Sequence, residues 1–144
     1  WVCWRPLPKF RKKSQETISI RVAAVDAPEI SHQGRQAQPF SKESKDFTTS
    51  QILDKHVSIK VLARDQYGRI VAKVTYGMWP FQKNLSKQLL QRGLAAIYRS
   101  SGAEVAFEGK QDVYERTEAA AKRKKLGMWS LGKKLVLPRD YKAK

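Results

Sequence analysis

Arg21-Val-Ala-Ala-Val-Asp26-Ala-Pro28-Glu29, answered further along by Asp65-Gln-Tyr67-Gly68-Arg69, decides how this chain is read. Ahead of the first stretch, Ile18, Ile20 and Val22 alternate with Ser19 and Arg21, the period of two of a half-buried strand. Pro28 denies a ladder donor and closes it. Around the second, Val57, Ile59, Val61 and Ala63 alternate with Ser58 and Lys60, and Ile70, Ala72, Val74 and Tyr76 alternate with Val71, Lys73 and Thr75. The polar turn Arg64-Asp-Gln-Tyr-Gly68 between these runs predicts a β-hairpin. Two arginines and two carboxylates at strand ends can hold a metal ion and a phosphodiester together. Fixed cations lower the barrier of a reaction that builds negative charge. A divalent cation neutralises that charge, and a carboxylate takes the proton of the attacking water.

Each residue also has an ordinary use. Arg21 leaves the face that packs the core, the common fate of a solvated strand cation. Asp-x-Pro-Glu is turn chemistry, and Arg69 after a glycine is an unremarkable hairpin charge. Tyr67 and Tyr98 either stack on a base or donate to a phosphate oxygen, or else pack as core or barrel-rim aromatics. Lys122 to Lys125 reads first as a solvated helix end; Trp79 and Trp129 read as packing anchors. Geometry adds a condition. Strict alternation sends Arg21 and Asp26 to opposite faces, so their convergence requires a bulge or bend, for which Ala23-Ala24 is small enough.

The chain has 144 residues, enough for one domain with a real core. Lys+Arg 29 against Asp+Glu 13 gives a net charge of +16, which favours polyanions, nucleic acid ahead of an anionic membrane. The single Cys3 excludes an internal disulfide and a cysteine-rich zinc site, and His32 and His56 stand apart in sequence. A metal here would be held by oxygens, pointing to calcium, magnesium or manganese. No apolar run reaches membrane-spanning length and no signal peptide is visible. The start at Trp1 implies a processed chain or a fragment.

Working outward, residues 37–53 predict a helix with Pro39 in its first turn and Phe40 and Phe47 on one face. Asn84 caps a short helix closed by Gly93, and 94–98 is a brief strand. A last helix over about 112–125 opens on an Asp-x-x-Glu capping box and stops at Gly127. Residues 1–15 form a basic arm or insertion loop, 16–131 the domain, and 132–144 a basic C-terminal tail. The order of elements suits an α+β fold with a small antiparallel sheet.

The two opening motifs, the Asn84-Leu85-x3-Leu89-x3-Gly93-Leu94-Ala95 block and the closing Ala-Ala-Lys-Arg-Lys-Lys-Leu-Gly127-Met-Trp129 together resemble the staphylococcal-nuclease-like (thermonuclease) domain, in order over residues 16–131. The wording is most similar to the fungal mitochondrial endonucleases named for long chronological lifespan. The resemblance implies an OB-like small antiparallel β-barrel with three helices and calcium-dependent hydrolysis of DNA and RNA. Arg21 resembles the arginine on the scissile phosphate, Asp26 a calcium ligand helped by the Ala27 carbonyl, and Glu29 the general base acting through water. Arg69 resembles the second phosphate arginine and leaving-group stabiliser; Tyr67 and Tyr98 resemble nucleotide-contacting tyrosines. It further implies a monomer without a small-molecule cofactor. It implies a mitochondrial location as well, with a membrane anchor in a segment this chain lacks.

One departure stands out. The family carries an Asp-Gly-Asp motif upstream of the Arg21 strand, and residues 1–15 contain no acid. The expectation is therefore a barrel short of strands and a calcium site short of a carboxylate, in a fragment of a longer nuclease. Two other readings follow: an OB-like module that binds nucleic acid and cuts weakly or not at all, and a basic ribonucleoprotein component.

Overall fold

The computed structural model describes residues 17–31, 36–99 and 103–142. Cys3, His32 and the expected arm at 1–15 lie outside them. The elements run β1 (Ile20–Val22), β2 (Val25–Asp26), α1 (Ser41–Ile52), β3 (Val57–Arg64), β4 (Ile70–Tyr76), β5 (Lys83–Asn84), α2 (Leu85–Gln91), β6 (Ala96–Ile97), α3 (Gln111–Arg123) and α4 (Pro138–Lys142). Short 3-10 stretches occupy Ala103–Phe107 and Gly127–Lys134. The fold is α+β, with three helices where they were expected and α4 added; α1 begins at Ser41, so Pro39 lies ahead of it rather than in its first turn.

β4 is the spine. Ala72, Val74 and Tyr76 alternate into the core, where they meet Leu85, Leu89 and Leu90 of α2 and the Phe107–Tyr114 edge contact at 5.6 Å. β3 runs antiparallel to β4, and β1 runs parallel to β4 on its other side. That parallel pairing departs from the expected antiparallel sheet. The chain makes a long crossover through α1 and β3 between the two strands, which permits a parallel return. β2 and β6 form a separate antiparallel pair, and among the described residues the strands do not close into a barrel.

Local chemistry explains most of the ends. Asn84 accepts the Lys87 N–H at 3.2 Å and caps α2 as expected. Gly93 (φ +66) ends it, and a Cβ there would stand 2.1 Å from the Leu126 carbonyl oxygen, so only glycine fits. The capping box expected at Asp112 and Glu115 does not form. The N-cap of α3 is Lys110, two residues ahead of Asp112, so Asp112 is already inside the first turn and pairs with Arg116, while Glu115 accepts from Gln111 at 2.9 Å.

Two further expectations change. Trp79 is no packing anchor; with Met78 and Phe81 it stands 82–85% exposed on the β4–β5 connection. The stretch expected as a basic tail, 132–144, carries the apolar run Leu135-Val-Leu-Pro138 after Gly132-Lys-Lys134 and docks through it. Pro138 is fully buried, and the Tyr141 hydroxyl donates to the Gln36 carbonyl at 2.6 Å. No helix among the described residues is long and apolar enough to cross a membrane.

Candidate active site

The condition set by strand alternation is met at Ala23-Ala24. Ala24 takes φ 67, a left-handed conformation costly for a residue with a Cβ, and there the chain leaves β4 for the β2–β6 pair. Three backbone groups of this buried bend have partners. The Ala23 N–H donates to Ala72 at 2.9 Å, the Ala23 carbonyl accepts from the buried Ser86 hydroxyl at 2.8 Å, and the Ala24 carbonyl accepts from Tyr98 at 3.1 Å. The strain is thus held by α2 and β6, and the odd separation between Arg21 and Asp26 no longer forces them apart.

Arg21 lies opposite Val71 in the parallel ladder, and Arg69 stands two residues before that partner. The Arg21 guanidinium stacks over the Tyr98 ring, 3.8 Å from the ring centre, which restricts it without neutralising it. Arg69 is restrained by Asp65. One carboxylate oxygen accepts the Tyr67 and Arg69 backbone N–H groups, each at 2.9 Å; the other accepts Arg69 Nε at 2.7 Å. Desolvation works to raise the Asp65 pKa, but the hydrogen bonds from Arg69 and Tyr67 outweigh it and hold the carboxyl below its ordinary value. Tyr67 is exposed beside this turn, with the Arg69 guanidinium 5.5 Å from its ring centre.

A cleft of about 310 Å³ opens between these parts. Arg21, Arg64, Asp65, Tyr67 and Tyr98 line it together with the Ala23–Ala24 bend. Of the residues singled out in the sequence, Arg21, Tyr67 and Tyr98 therefore meet, and Arg69 is tied to the wall through Asp65. Asp26, Ala27 and Glu29 are not on that wall; they follow it directly, beyond Val25. Asp26 is buried opposite Ala96, and Ala27 and Glu29 are half-buried. Their donor chemistry is all oxygen, which suits calcium in kind. Among the described residues no three acidic, histidine or cysteine side chains cluster, so Asp26 and Ala27 could supply only part of a shell of six or more oxygens.

A family model described as staphylococcal nuclease homologue matches residues 19–131, the span that contains the bend, the cleft and α3. The chain belongs to this family. Relatives similar to it over nearly its full length include a probable endonuclease LCL3 of Pyricularia oryzae, 44% identical over 99% of this chain and 55% of that protein. Another LCL3, from Nakaseomyces delphensis, is 46% identical over 96% of this chain and 53% of its own length. Endonuclease Htp3 of Saprolegnia parasitica is 42% identical over 92% and 62%. The chain thus spans between half and two-thirds of these relatives. Two supporting residues of this nuclease fold carried no assigned role in the sequence. Asp65 had a usable signal, since Asp two residues before Tyr67 is an Asx-turn pattern. Ser86 had none, because its partner lies 63 positions away.

Proposed function

We propose that this protein is a calcium-dependent endonuclease that hydrolyses phosphodiester bonds of DNA and RNA. The observation that carries the reading is the cleft at the Ala23-Ala24 bend, where Arg21, stacked on Tyr98, faces the Asp65–Tyr67 turn that holds Arg69. Arg21 binds a non-bridging oxygen of the scissile phosphate and stabilises the charge that grows there; Arg69 does the same nearer the leaving oxygen. The Glu29 carboxylate takes a proton from the attacking water as the new P–O bond forms and the old one breaks. Tyr67 and Tyr98 flank the strand through their rings or hydroxyls. The Asp26 carboxylate and the Ala27 carbonyl would hold calcium, which would supply further charge neutralisation at the phosphate.

Supercoiled plasmid and single-stranded RNA, incubated with the protein and calcium, are expected to be cut, and a chelator to stop the reaction. Glu29→Ala and Arg69→Ala should each reduce kcat by about 10²- to 10³-fold. Cleavage that persists in chelator and in both variants would refute the assignment. The partial oxygen shell favours one second reading, a module that binds nucleic acid in the same cleft without cutting it. Salt-sensitive binding with intact plasmid would mark that outcome.

A further inference from the structure

Gln38 sits in the connection between Pro28 and α1, where a glutamine ordinarily keeps its amide in water, yet it is buried with only 4% of its surface exposed. Its polar atoms account for the burial. The Gln38 backbone N–H donates to the Glu29 carbonyl at 2.8 Å, and its side-chain Oε1 accepts the Glu29 N–H at 3.0 Å. Both backbone groups of Glu29 are thereby spent on one residue, as if a strand pair had been completed by a side chain. The other end of the amide, Nε2, donates to the Val136 carbonyl at 2.6 Å, 98 positions along the chain. Tyr141 ties the same two segments a second time through the Gln36 carbonyl, and buried Pro138 fastens the C-terminal piece between those ties.

We propose that Gln38 is a positioning residue for Glu29, and that through Val136 it makes residues 135–142 part of the device that aims the Glu29 carboxylate. The proposal rests on the reading of Glu29 as general base. With the Glu29 N–H and carbonyl both fixed, the backbone sets the direction in which its Cα–Cβ bond leaves. Only an amide serves at this point. It offers an acceptor to Glu29 and a donor to Val136 at once, whereas a glutamate would turn a carboxylate oxygen toward the Val136 carbonyl. The lever is large, because a displacement of about 1 Å in a reacting group costs on the order of 10²-fold in rate.

Gln38→Met keeps the length of the side chain and removes both bonds. In the full chain it is expected to lower kcat about 10- to 100-fold while KM for nucleic acid changes by less than about threefold. Amide exchange at Glu29 should accelerate, since its acceptor is gone. Gln38→Glu retains that acceptor and tests the site if Gln38→Met folds poorly; it should protect the Glu29 amide and fall between wild type and Gln38→Met in rate. In a Glu29→Ala background, Gln38→Met should change kcat by less than about twofold, because two residues acting as a unit are not additive. An equal loss with and without Glu29, or an unchanged Glu29 amide, would overturn the proposal. Glu29→Ala alone separates the two levels. Full activity in that variant removes the general-base reading itself, whereas Glu29-dependent but Gln38-independent rates remove only the positioning role.

Discussion

Asp65 makes one carboxylate do two jobs. Its Oδ1 folds the turn by accepting two backbone N–H groups, and its Oδ2 points Arg69 by accepting Nε. These jobs separate cleanly under Asp65→Asn. The amide oxygen still accepts the turn N–H groups, but its NH₂ now faces Arg69 donor to donor, so the guanidinium loses its anchor. We expect kcat/KM for plasmid cleavage to fall about 10- to 100-fold with the thermal midpoint nearly unchanged, measured by initial rates beside a melting curve. Wild-type rates from this variant would mean that Arg69 needs no help to find the phosphate. Arg21 has the other kind of restraint. An aromatic face limits its motion and leaves its hydrogen-bond donors for an anion, where a carboxylate would occupy some of them.

At the scale of elements, what the sequence disclosed was whatever local rules govern. The β3–β4 hairpin, the Asn84 cap and the Gly93 stop each depend on residues within a few positions, and each is where the pattern puts it. The bend at Ala23-Ala24 was legible only as a requirement, because parity says that alternation must break and not how. Contacts across the chain were illegible: Ser86 on the bend, Gln38 on Val136, and the register shift between Val61 and Ala63. Alternation also promised β3 a buried face, yet Ile59 and Val61 remain 43% and 61% exposed at the sheet edge, since a period of two names a face without supplying its cover. Glu108 is the clearest non-local tie. It follows the Ala103–Phe107 turn and clamps it to the sheet by accepting from Lys60 on β3 and from Lys73 on β4 at 2.8 Å. The Lys60 and Lys73 hydrogen bonds lower its pKa from 4.5 to about 2. A depressed carboxylate stabilises fully above its unfolded pKa and loses that contribution as pH falls through the folded one. The clamp should therefore be intact at pH 7 and fade between about 4.5 and 2. Glu108→Gln should cost roughly 1 kcal/mol at neutral pH, discounted for the exposed Lys60 partner. That gap should narrow toward zero as denaturant titrations approach pH 2; a pH-independent gap would mean that packing, not charge, holds the turn.

At the scale of the whole molecule, the decisive quantity is a net charge of +16 on 144 residues. Such a charge attracts any polyanion, so attraction alone says little about where a strand lies. The salt dependence of binding does say so. Each phosphate neutralised releases counterions, and on single strands the slope of log K against log salt is about −0.7 per contact, so about six contacts give a slope near −4. If the field is diffuse, Arg21→Ala and Lys110→Ala should lower affinity to similar small extents, because each removes one charge of many. If the strand lies in the cleft that Arg21 and Arg64 line, Arg21→Ala should lower the slope magnitude by close to one contact. Lys110, an exposed cation at the start of α3 that does not line the cleft, should leave the slope as it was. Fluorescence anisotropy with a labelled single strand, at salt concentrations from about 50 to 200 mM, spans the range over which affinities of this kind change by orders of magnitude. Equal slopes for the two variants would spread the nucleic acid over the surface and detach it from the arginine on which the proposed cleavage depends.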